Sequence, residues 1–347
     1  MSKIVDLLQR FREQRAFSGA VYAVGDADAV LEQGAVGTLA WDGEPVGPDS
    51  LWDLASVTKP IVALALMVFL ERGEVCLDDP VARFLPAYAR TDKAELTLQQ
   101  LLTHTSGIPG QQPLYQSARS ADDLRAAVRN LPLKFKPGTD VEYSSQGFMI
   151  VGDIIEAVGG GRLDAVLQKT VLEPLGMRET VFRPAAAEVY RIAATEDCPW
   201  RGRIVRGEVH DENAVVLGGI AGHAGLFAPV GDLIRLCRAM LRLGETERGR
   251  FLHPDTVRLM TRNWTAHLPL ARGLGWQARD AVGSPAGDLF SAHSYGHTGF
   301  TGTSVWIDPE RGRYAVLLTN RVHPTRDNAS IKRVRAMFHN LACLLER

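Results

Sequence analysis

The chain has 347 residues, of which 46% are apolar and 23% are charged, and its 39 basic and 40 acidic residues give a net charge of −1. This composition is typical of a globular protein of about two domains, and the lack of a basic excess argues against a dedicated nucleic-acid-binding protein. The longest strongly apolar run, between Lys59 and Glu71, is shorter than the ~20 residues that span a bilayer.

The spacing of the cysteines and the composition of the N-terminus indicate in which cellular compartment the protein is expected. The four cysteines are widely separated and form no C-x-x-C pair, so neither a zinc or redox motif nor a disulfide framework is expected. The first 15 residues mix charged and apolar side chains, without the unbroken apolar segment that is typical of a signal peptide. We therefore predict a cytoplasmic protein with no membrane partner. The sequence carries no readable sign of the oligomeric state.

Hydrophobic periodicity predicts the secondary structure in chain order. Apolar residues at helical spacing open the chain at 4–11, and two short strands follow at 19–24 and 29–36. A long apolar helix is expected at 56–72. Further helices are predicted at 98–102, 121–130, 146–158, 162–172 and 232–243, with glycine-rich loops at 107–113 and 218–225. Strands at 304–307 and 314–319 and a helix at 331–345 complete the chain.

The distribution of these elements predicts the domain organisation. Strands lie near both ends of the chain, and the middle is helical. We therefore expect an α/β domain formed by residues 1–55 and 265–347, with a mainly helical domain of residues 56–264 inserted into it. A site at the junction of the two domains is the natural place for chemistry.

The pair Ser56 and Lys59 is the first candidate for chemistry. On a helix, a spacing of three residues places both side chains on one face, about 5–6 Å apart at Cβ. A lysine desolvated in a pocket has a lowered pKa and can accept the hydroxyl proton, which makes the serine a nucleophile. Lys59 would also lie in the first helical turn, where the helix dipole disfavours a cation. Considered alone, the segment fits an N-cap serine beside a surface lysine better than a catalytic pair.

Two later segments contain polar groups that are further candidates for a catalytic site. Tyr143 precedes a predicted helix, and a tyrosine near a lysine amine can act as a phenolate or as a proton relay to a leaving group. The stretch His297-Thr298-Gly299 lies between two further glycines and leads into a strand, so its backbone can approach a ligand and offer N–H groups to an oxyanion. Each segment alone fits a structural role at least as well, as a half-buried tyrosine and a glycine-rich turn.

Together these segments resemble the penicillin-recognising serine hydrolases, which include class C β-lactamases, D,D-peptidases and β-lactamase-like carboxylesterases. Three motifs carry the resemblance, in the family's order: Ser56-x-x-Lys59, Tyr143-x-Ser145 and His297-Thr298-Gly299. It extends over nearly the whole chain and includes residues 52–59, 77–81 and 101–107. The stretches 209–214, 222–227 and 318–324 resemble the branch of the family that is linked with murein-fragment recycling.

The resemblance implies a fold and a mechanism. The fold is β-lactamase/transpeptidase-like, with an antiparallel sheet flanked by the terminal helices and an inserted all-helical domain. Ser56 would form an acyl-enzyme on an ester or amide, with Lys59 and Tyr143 sharing the proton transfers. The backbone N–H groups of Ser56 and Phe300 would form the oxyanion hole. Substrate-binding residues are expected at the remaining motif positions: Ser145, His297, Thr298 and Gly299.

Two positions depart from the family pattern. Ser145 stands where the family usually has asparagine, and His297 where it usually has lysine. Both changes, together with the lack of a visible signal peptide, argue against turnover of β-lactams. Since a histidine has an ordinary pKa of about 6.5, His297 in the cleft would favour substrates with a free carboxylate below that pH and lose this preference above it.

Other polar residues are weaker candidates. His223 lies in a glycine-rich loop and could line the cleft or hold the loop by a hydrogen bond. The segment Asp211-Glu212-Asn213 could bind substrate, although loop anchoring is the simpler role. His293 and His297 are four residues apart, but the glycines around them disfavour a helix and no third ligand falls at metal spacing. We expect no metal and no cofactor.

Three functions stay open, each with a small molecule as the partner. The first is an amidase or peptidase on muropeptides or other cell-wall-derived amides. The second is a carboxylesterase with broad specificity. The third is a non-catalytic binding or signalling protein on the same scaffold, which the joint presence of Ser56, Lys59 and Tyr143 argues against.

Overall fold

The computed structural model describes residues 2–346, and a six-stranded antiparallel sheet lies at its centre. The strands in chain order are β1 (Gly19–Gly25), β2 (Val30–Gly37), β3 (Trp52–Asp53), β4 (Val181–Phe182), β5 (Asp197–Cys198), β6 (Arg203–Ile204), β7 (Leu226–Ala228), β8 (Glu245–Thr246), β9 (Gly249–Arg250), β10 (Gln277–Ala278), β11 (Tyr295–Thr298), β12 (Ser304–Asp308) and β13 (Arg313–Thr319). The order in the main sheet is β10-β11-β12-β13-β1-β2. Ala20 of β1 pairs with Thr319 of β13, so the two ends of the chain form one sheet.

Twelve α-helices lie among the described residues. They are α1 (Lys3–Glu13), α2 (Thr58–Glu71), α3 (Val81–Phe84), α4 (Leu98–Leu102), α5 (Ala121–Asn130), α6 (Ser145–Gly159), α7 (Leu163–Leu167), α8 (Glu173–Leu175), α9 (Glu212–Val216), α10 (Val230–Leu241), α11 (Pro254–Thr261) and α12 (Ile331–Cys343). A π-helical turn, Gln168–Leu172, joins α7 to α8. Within residues 2–346, no helix combines the length and the apolar character that crossing a membrane requires.

The terminal helices cover one face of the main sheet. The side chain of Ser2 caps α1 by accepting the N–H of Ile4, and apolar residues at helical spacing bury one side of this helix. α12 packs beside α1, and Phe338 on α12 contacts Tyr22 of β1 with the ring centres 5.9 Å apart. The predicted arrangement of a sheet flanked by terminal helices is therefore confirmed.

Helix α10 covers the other face of the sheet. Helix α2 lies in the same hydrophobic core, where it packs beside α6. Of its 14 residues, all but Leu70 and Glu71 are buried, which is typical of a helix that packs on every side. Its surroundings include Val316 on the sheet and Phe148 on α6, within one hydrophobic cluster. The 3₁₀ turn at Ala55–Val57, which precedes α2, contacts β11, so the start of α2 lies between the sheet and the helical region.

The structure differs from the sequence predictions in detail. The helix expected at 56–72 begins with a 3₁₀ turn, Ala55–Val57, and becomes α-helical at Thr58. The inserted stretch is predominantly helical rather than all-helical, because β3, β7 and β4 form a small sheet and two short hairpins lie nearby. These two-residue and three-residue strands are too short for an alternating pattern to reveal. The division at 55/56 and 264/265 stays a prediction.

Candidate active site

The Ser56 hydroxyl and the Lys59 amine lie in direct contact. Lys59 Nζ donates to Ser56 Oγ over 3.0 Å and to the carbonyl oxygen of His223 over 2.9 Å. The lysine side chain is completely buried, and burial lowers its pKa from 10.5 to about 7, although the charge of Asp211 opposes this shift. An amine of this pKa can release its proton near neutral pH and accept the proton of Ser56.

The residues before Ser56 hold the turn in an unusual conformation. Ala55 has a positive φ of 45°, which is costly for a residue with a Cβ. The buried carboxylate of Asp53 compensates, since it accepts the N–H of Ala55 (2.8 Å) and the N–H of His210 (2.7 Å). This anchor fixes the backbone from which Ser56 extends.

Tyr143 packs against the same lysine. Its ring centre lies 4.8 Å from Lys59 Nζ and 4.6 Å from the ring centre of His104. Burial raises the pKa of Tyr143 above its ordinary 10, although interaction with Ser56 lowers it, so the hydroxyl stays protonated at neutral pH. A neutral phenol suits a proton relay and not a phenolate base. His104 Nδ1 accepts the N–H of Ser144 (3.1 Å), which holds the loop that carries Tyr143.

A cavity of about 500 Å³ opens in front of Ser56. Six of the predicted site residues line it: Ser56, Tyr143, His297, Thr298, Gly299 and Phe300. Lys59 is buried behind Ser56, and His223 contacts Lys59 through its carbonyl without reaching the cavity wall. Ser145 is buried as the first residue of α6 and is not part of the wall.

The turn after β11 is fastened to the residues that precede Ser56. Thr301 Oγ1 donates to the carbonyl of Asp53 (2.7 Å), and Thr303 Oγ1 donates to the carbonyl of Leu54 (2.9 Å). Gly299 packs so closely that a Cβ there would lie 2.4 Å from the Leu54 oxygen. This close approach, which only glycine permits, brings Phe300 into the cavity that Ser56 faces.

The cavity wall is strongly basic. One carboxylate, Asp327, and five cationic side chains line it, the cations being Arg272, Arg321, Arg326, Lys332 and Arg335. None of these residues lies in the three motifs, and although Arg321 falls within the resembling stretch 318–324, the sequence analysis assigned none of them to the site. Four of the cations lie within residues 321–335 and Arg272 lies about 50 residues earlier, and no motif in the sequence links these two segments.

Most of these cations have protein partners. Arg326 pairs with two carboxylates, Arg321 Nε donates to the carbonyl of Phe300 (2.7 Å), and Arg335 donates to backbone carbonyls. Arg272 differs, because its side chain is only 7% exposed and forms no hydrogen bond or ion pair within residues 2–346. A buried guanidinium without a partner is costly unless a ligand supplies the anion.

A family model described as Beta-lactamase matches residues 4–338. The chain belongs to the beta-lactamase family. An Escherichia coli K12 protein provisionally named as a D-alanyl-D-alanine carboxypeptidase is 33% identical over 305 residues, which are 79% of this chain and 70% of that protein. A Salmonella enteritidis protein of the same name is 32% identical over 316 residues, covering 82% of this chain and 72% of its own length.

Solved structures agree with this beta-lactamase fold. EstCE1, a hydrolase with promiscuous acyltransferase activity, superimposes with a TM-score of 0.80 at 21% identity, covering 98% of this chain and 97% of that one. The octameric penicillin-binding protein homologue from Pyrococcus abyssi gives a TM-score of 0.75 at 22% identity, covering 99% and 77%. The predicted family, fold and serine-hydrolase class are therefore confirmed.

His297 lines the cavity of this beta-lactamase-family enzyme without serving as its cation. The side chain is only 4% exposed, and burial, together with the positive charges of Lys59 and Arg272, keeps its pKa well below 6.5. Its Nδ1–H donates to the carbonyl of Thr298 (2.9 Å). The structure therefore argues against the predicted protonation switch near pH 6.5, which the sequence suggested because it could not reveal the burial.

A neutral His297 predicts a flat pH response. We expect the ratio of kcat/KM for a carboxylate-bearing substrate to that for its methyl ester to stay constant between pH 5.5 and 8.5. The titration of Lys59 affects both substrates and cancels in the ratio. A ratio that falls through pH 6.5 in the wild type, and not in His297→Gln, would show that the histidine becomes charged in the cleft.

Asp211 and His223 form a pair behind Lys59. His223 Nε2 donates to Asp211 Oδ1 over 2.9 Å, and this carboxylate also caps α9 by accepting the N–H of Ala214 (2.8 Å). Burial alone would raise the pKa of Asp211, but His223, the cap and Lys59 together keep it below its ordinary value. Asp211 does not line the cavity, so the structure supports loop anchoring and not substrate binding, and this anchor holds the residue whose carbonyl accepts from Lys59.

A second polar cluster lies beside the cavity. Glu196, Cys198 and Glu212 place ligand atoms within 4.8 Å of one another, the kind of set that a metal ion could use. Arg326 Nη2, however, pairs with both carboxylates, and His210 contacts Glu196 over 3.1 Å. The two negative charges are already balanced by side chains, and we assign no metal to this cluster. Asn213 instead bonds the backbone of Gln112 and Tyr115.

Proposed function

We propose that the enzyme is a serine peptidase or amidase that acts on cell-wall-derived peptides with a free terminal carboxylate. The observation that carries this proposal is the buried Arg272, whose guanidinium lines the cavity over the ring of Tyr143 (5.9 Å to the ring centre) but forms no hydrogen bond or ion pair with the described residues. A substrate carboxylate would supply the missing anion. Relatives named for D-alanyl-D-alanine carboxypeptidase activity cleave, by that name, a peptide ending in such a carboxylate.

Acylation begins at Ser56. The neutral amine of Lys59 takes the proton of Ser56 Oγ, and the oxygen attacks the substrate carbonyl carbon to form a tetrahedral oxyanion. The backbone N–H groups of Ser56 and Phe300 stabilise this oxyanion, each donor contributing roughly 10²–10³ to the rate. The C–N bond then breaks, and the leaving nitrogen receives the proton from Lys59 through the Tyr143 hydroxyl.

Deacylation uses the same groups in reverse. Water enters the place of the departed amine and gives a proton to Lys59, by way of the Tyr143 hydroxyl, as it attacks the acyl carbon. Collapse of the second oxyanion returns the proton to Ser56 Oγ and releases the acid. Because the Ser56–Lys59 contact is 3.0 Å, the proton transfer between these two side chains needs no rearrangement of the base.

Substitution of Arg272 tests the substrate class. We expect Arg272→Gln to lower kcat/KM for a D-alanyl-D-alanine-terminated peptide by about 30-fold or more, because breaking a buried charge pair costs roughly 2–5 kcal/mol. The same peptide with its C-terminus amidated should lose much less, so the ratio of the two substrates falls. Steady-state kinetics of wild type and variant on both peptides give this ratio.

Arg279→Gln is the matched control, since Arg279 comes from the same segment, bonds the backbone of Gly287 and Asp288, and does not line the cavity. It should leave the ratio at the wild-type value. Equal losses on the acid and the amide in Arg272→Gln would contradict the proposed carboxylate recognition.

A carboxylesterase is the second candidate. It is favoured by the uncharged state of His297 in the cleft, at the position where the family usually has lysine. An esterase would cleave p-nitrophenyl esters much faster than any peptide and would show no dependence on Arg272. The link with murein-fragment recycling and the cytoplasmic location stay predictions.

A further inference from the structure

A second arginine of the cavity wall contacts the turn that carries Phe300. Arg335 extends from α12, is buried, and Nη2 donates to the carbonyl oxygens of Gly299 (2.5 Å) and Thr303 (2.8 Å). Within residues 2–346 it has no carboxylate partner, and its Nε is buried without any partner. An uncompensated buried cation is expensive to keep, so a purely structural role explains it poorly.

The peptide that Arg335 holds is the one between Gly299 and Phe300. A trans peptide is planar, with its C=O and N–H pointing in opposite directions, and the only cis bond among the described residues is His323-Pro324. When a guanidinium bonds the Gly299 oxygen, the N–H of Phe300 therefore points away from Arg335. Cationic donation to the carbonyl also polarises the peptide and strengthens its N–H as a donor.

The opposite side of this turn faces the nucleophile. Thr303 Oγ1 bonds the Leu54 carbonyl, and Gly299 packs against Leu54 and Ala55, next to Ser56. No acceptor among residues 2–346 takes the N–H of Phe300. Arg335 thus holds the turn on the side away from Ser56, and the N–H of Phe300 remains available as a donor in the cavity.

We propose that Arg335 is a positioning residue of the oxyanion hole, which orients and polarises the Gly299–Phe300 peptide so that Phe300 N–H meets the developing oxyanion. This inference rests on the proposed acyl-enzyme function. Burial lowers the pKa of Arg335 to about 9, so the guanidinium keeps its charge at neutral pH. The charge is therefore present throughout the pH range in which Lys59 loses its proton.

A thionoester comparison separates this role from a general structural one. Sulfur anions are large and accept hydrogen bonds weakly, so an oxyanion hole accelerates an oxygen ester far more than its thionoester. We expect the ratio of kcat/KM for p-nitrophenyl acetate to that for p-nitrophenyl thionoacetate to be high in the wild type and about tenfold lower in Arg335→Met, less than the loss of a whole donor. A merely structural defect would slow both substrates equally.

Arg313→Met is the matched control, because Arg313 also donates to two backbone carbonyls, of Ala342 and Leu345, but lies away from the cavity. Its ratio should equal that of the wild type.

A high ratio that persists in Arg335→Met overturns the inference and leaves the proposed function intact. A wild-type ratio equal to that of the uncatalysed reaction overturns the oxyanion hole itself. If Arg335→Met does not fold, Arg335→Lys must retain a higher ratio than Arg335→Gln, and equal ratios refute the inference.

Discussion

Replacing Ser56 by alanine is expected to abolish turnover and all covalent labelling by a fluorophosphonate. The probe should add a single adduct to the wild type, located on Ser56 by peptide mass spectrometry, because the Lys59 amine contacts this hydroxyl directly. Ser117→Ala, which removes an exposed serine outside the cavity, should label like the wild type. Labelling that survives Ser56→Ala would refute the nucleophile assignment.

Lys59→Ala should lower kcat/KM by several orders of magnitude, since no other base contacts Ser56 Oγ within residues 2–346. Residues that act as one unit give strongly non-additive losses. We therefore expect the Ser56→Ala/Lys59→Ala double variant to be barely slower than either single variant. Losses that multiply would mean that the two side chains do not cooperate, and the 3.0 Å contact would then be structural.

Lys59→Met should stabilise the folded protein, most strongly at low pH. The pKa of Lys59 is about 7 when folded and 10.5 when unfolded, so between these values the unfolded chain binds a proton that the folded chain does not. This penalty is complete below pH 7 and declines as the pH rises towards 10.5. The gain in unfolding free energy of Lys59→Met over wild type should therefore fall by about 1.4 kcal/mol per pH unit from pH 7.5 to 9.5. Denaturant titrations at several pH values measure it.

Lys93→Met is the matched control for this prediction. Lys93 is equally buried, but its amine pairs with the Asp92 carboxylate over 2.6 Å and donates to the carbonyl of Leu131, so its removal breaks an ion pair and a hydrogen bond. This variant should be no more stable than the wild type at any pH. If Lys59→Met shows no gain below pH 7, the lysine is not desolvated as its burial indicates. Together with the loss of activity, the expected gain would mark Lys59 as a residue kept for chemistry at the expense of stability.

The predictable part of the fold lies in long, periodic segments. The helix at the N-terminus, the apolar helix after Ser56 and the strands around residue 310 follow from hydrophobic spacing, and the structure has all three. The π-helical turn at Gln168–Leu172 and the two-residue strands are too short for their hydrophobic residues to show a recognisable periodicity. The short strands form because tertiary neighbours supply their hydrogen bonds, as β7 does for β3 through the pairing of Trp52 with Ala228.

By itself, the sequence determined the family, the serine-hydrolase chemistry and the identity of the reactive pair, because Ser56 and Lys59 are neighbours on one helical face and this spacing survives any tertiary arrangement. Only the tertiary structure decided which charges meet in the cleft. Burial makes His297 neutral, whereas Arg272 and Arg335 reach the same wall from segments 63 residues apart. The charge state of a side chain depends on its neighbours and on its burial, and both are provided by parts of the chain that are remote in sequence.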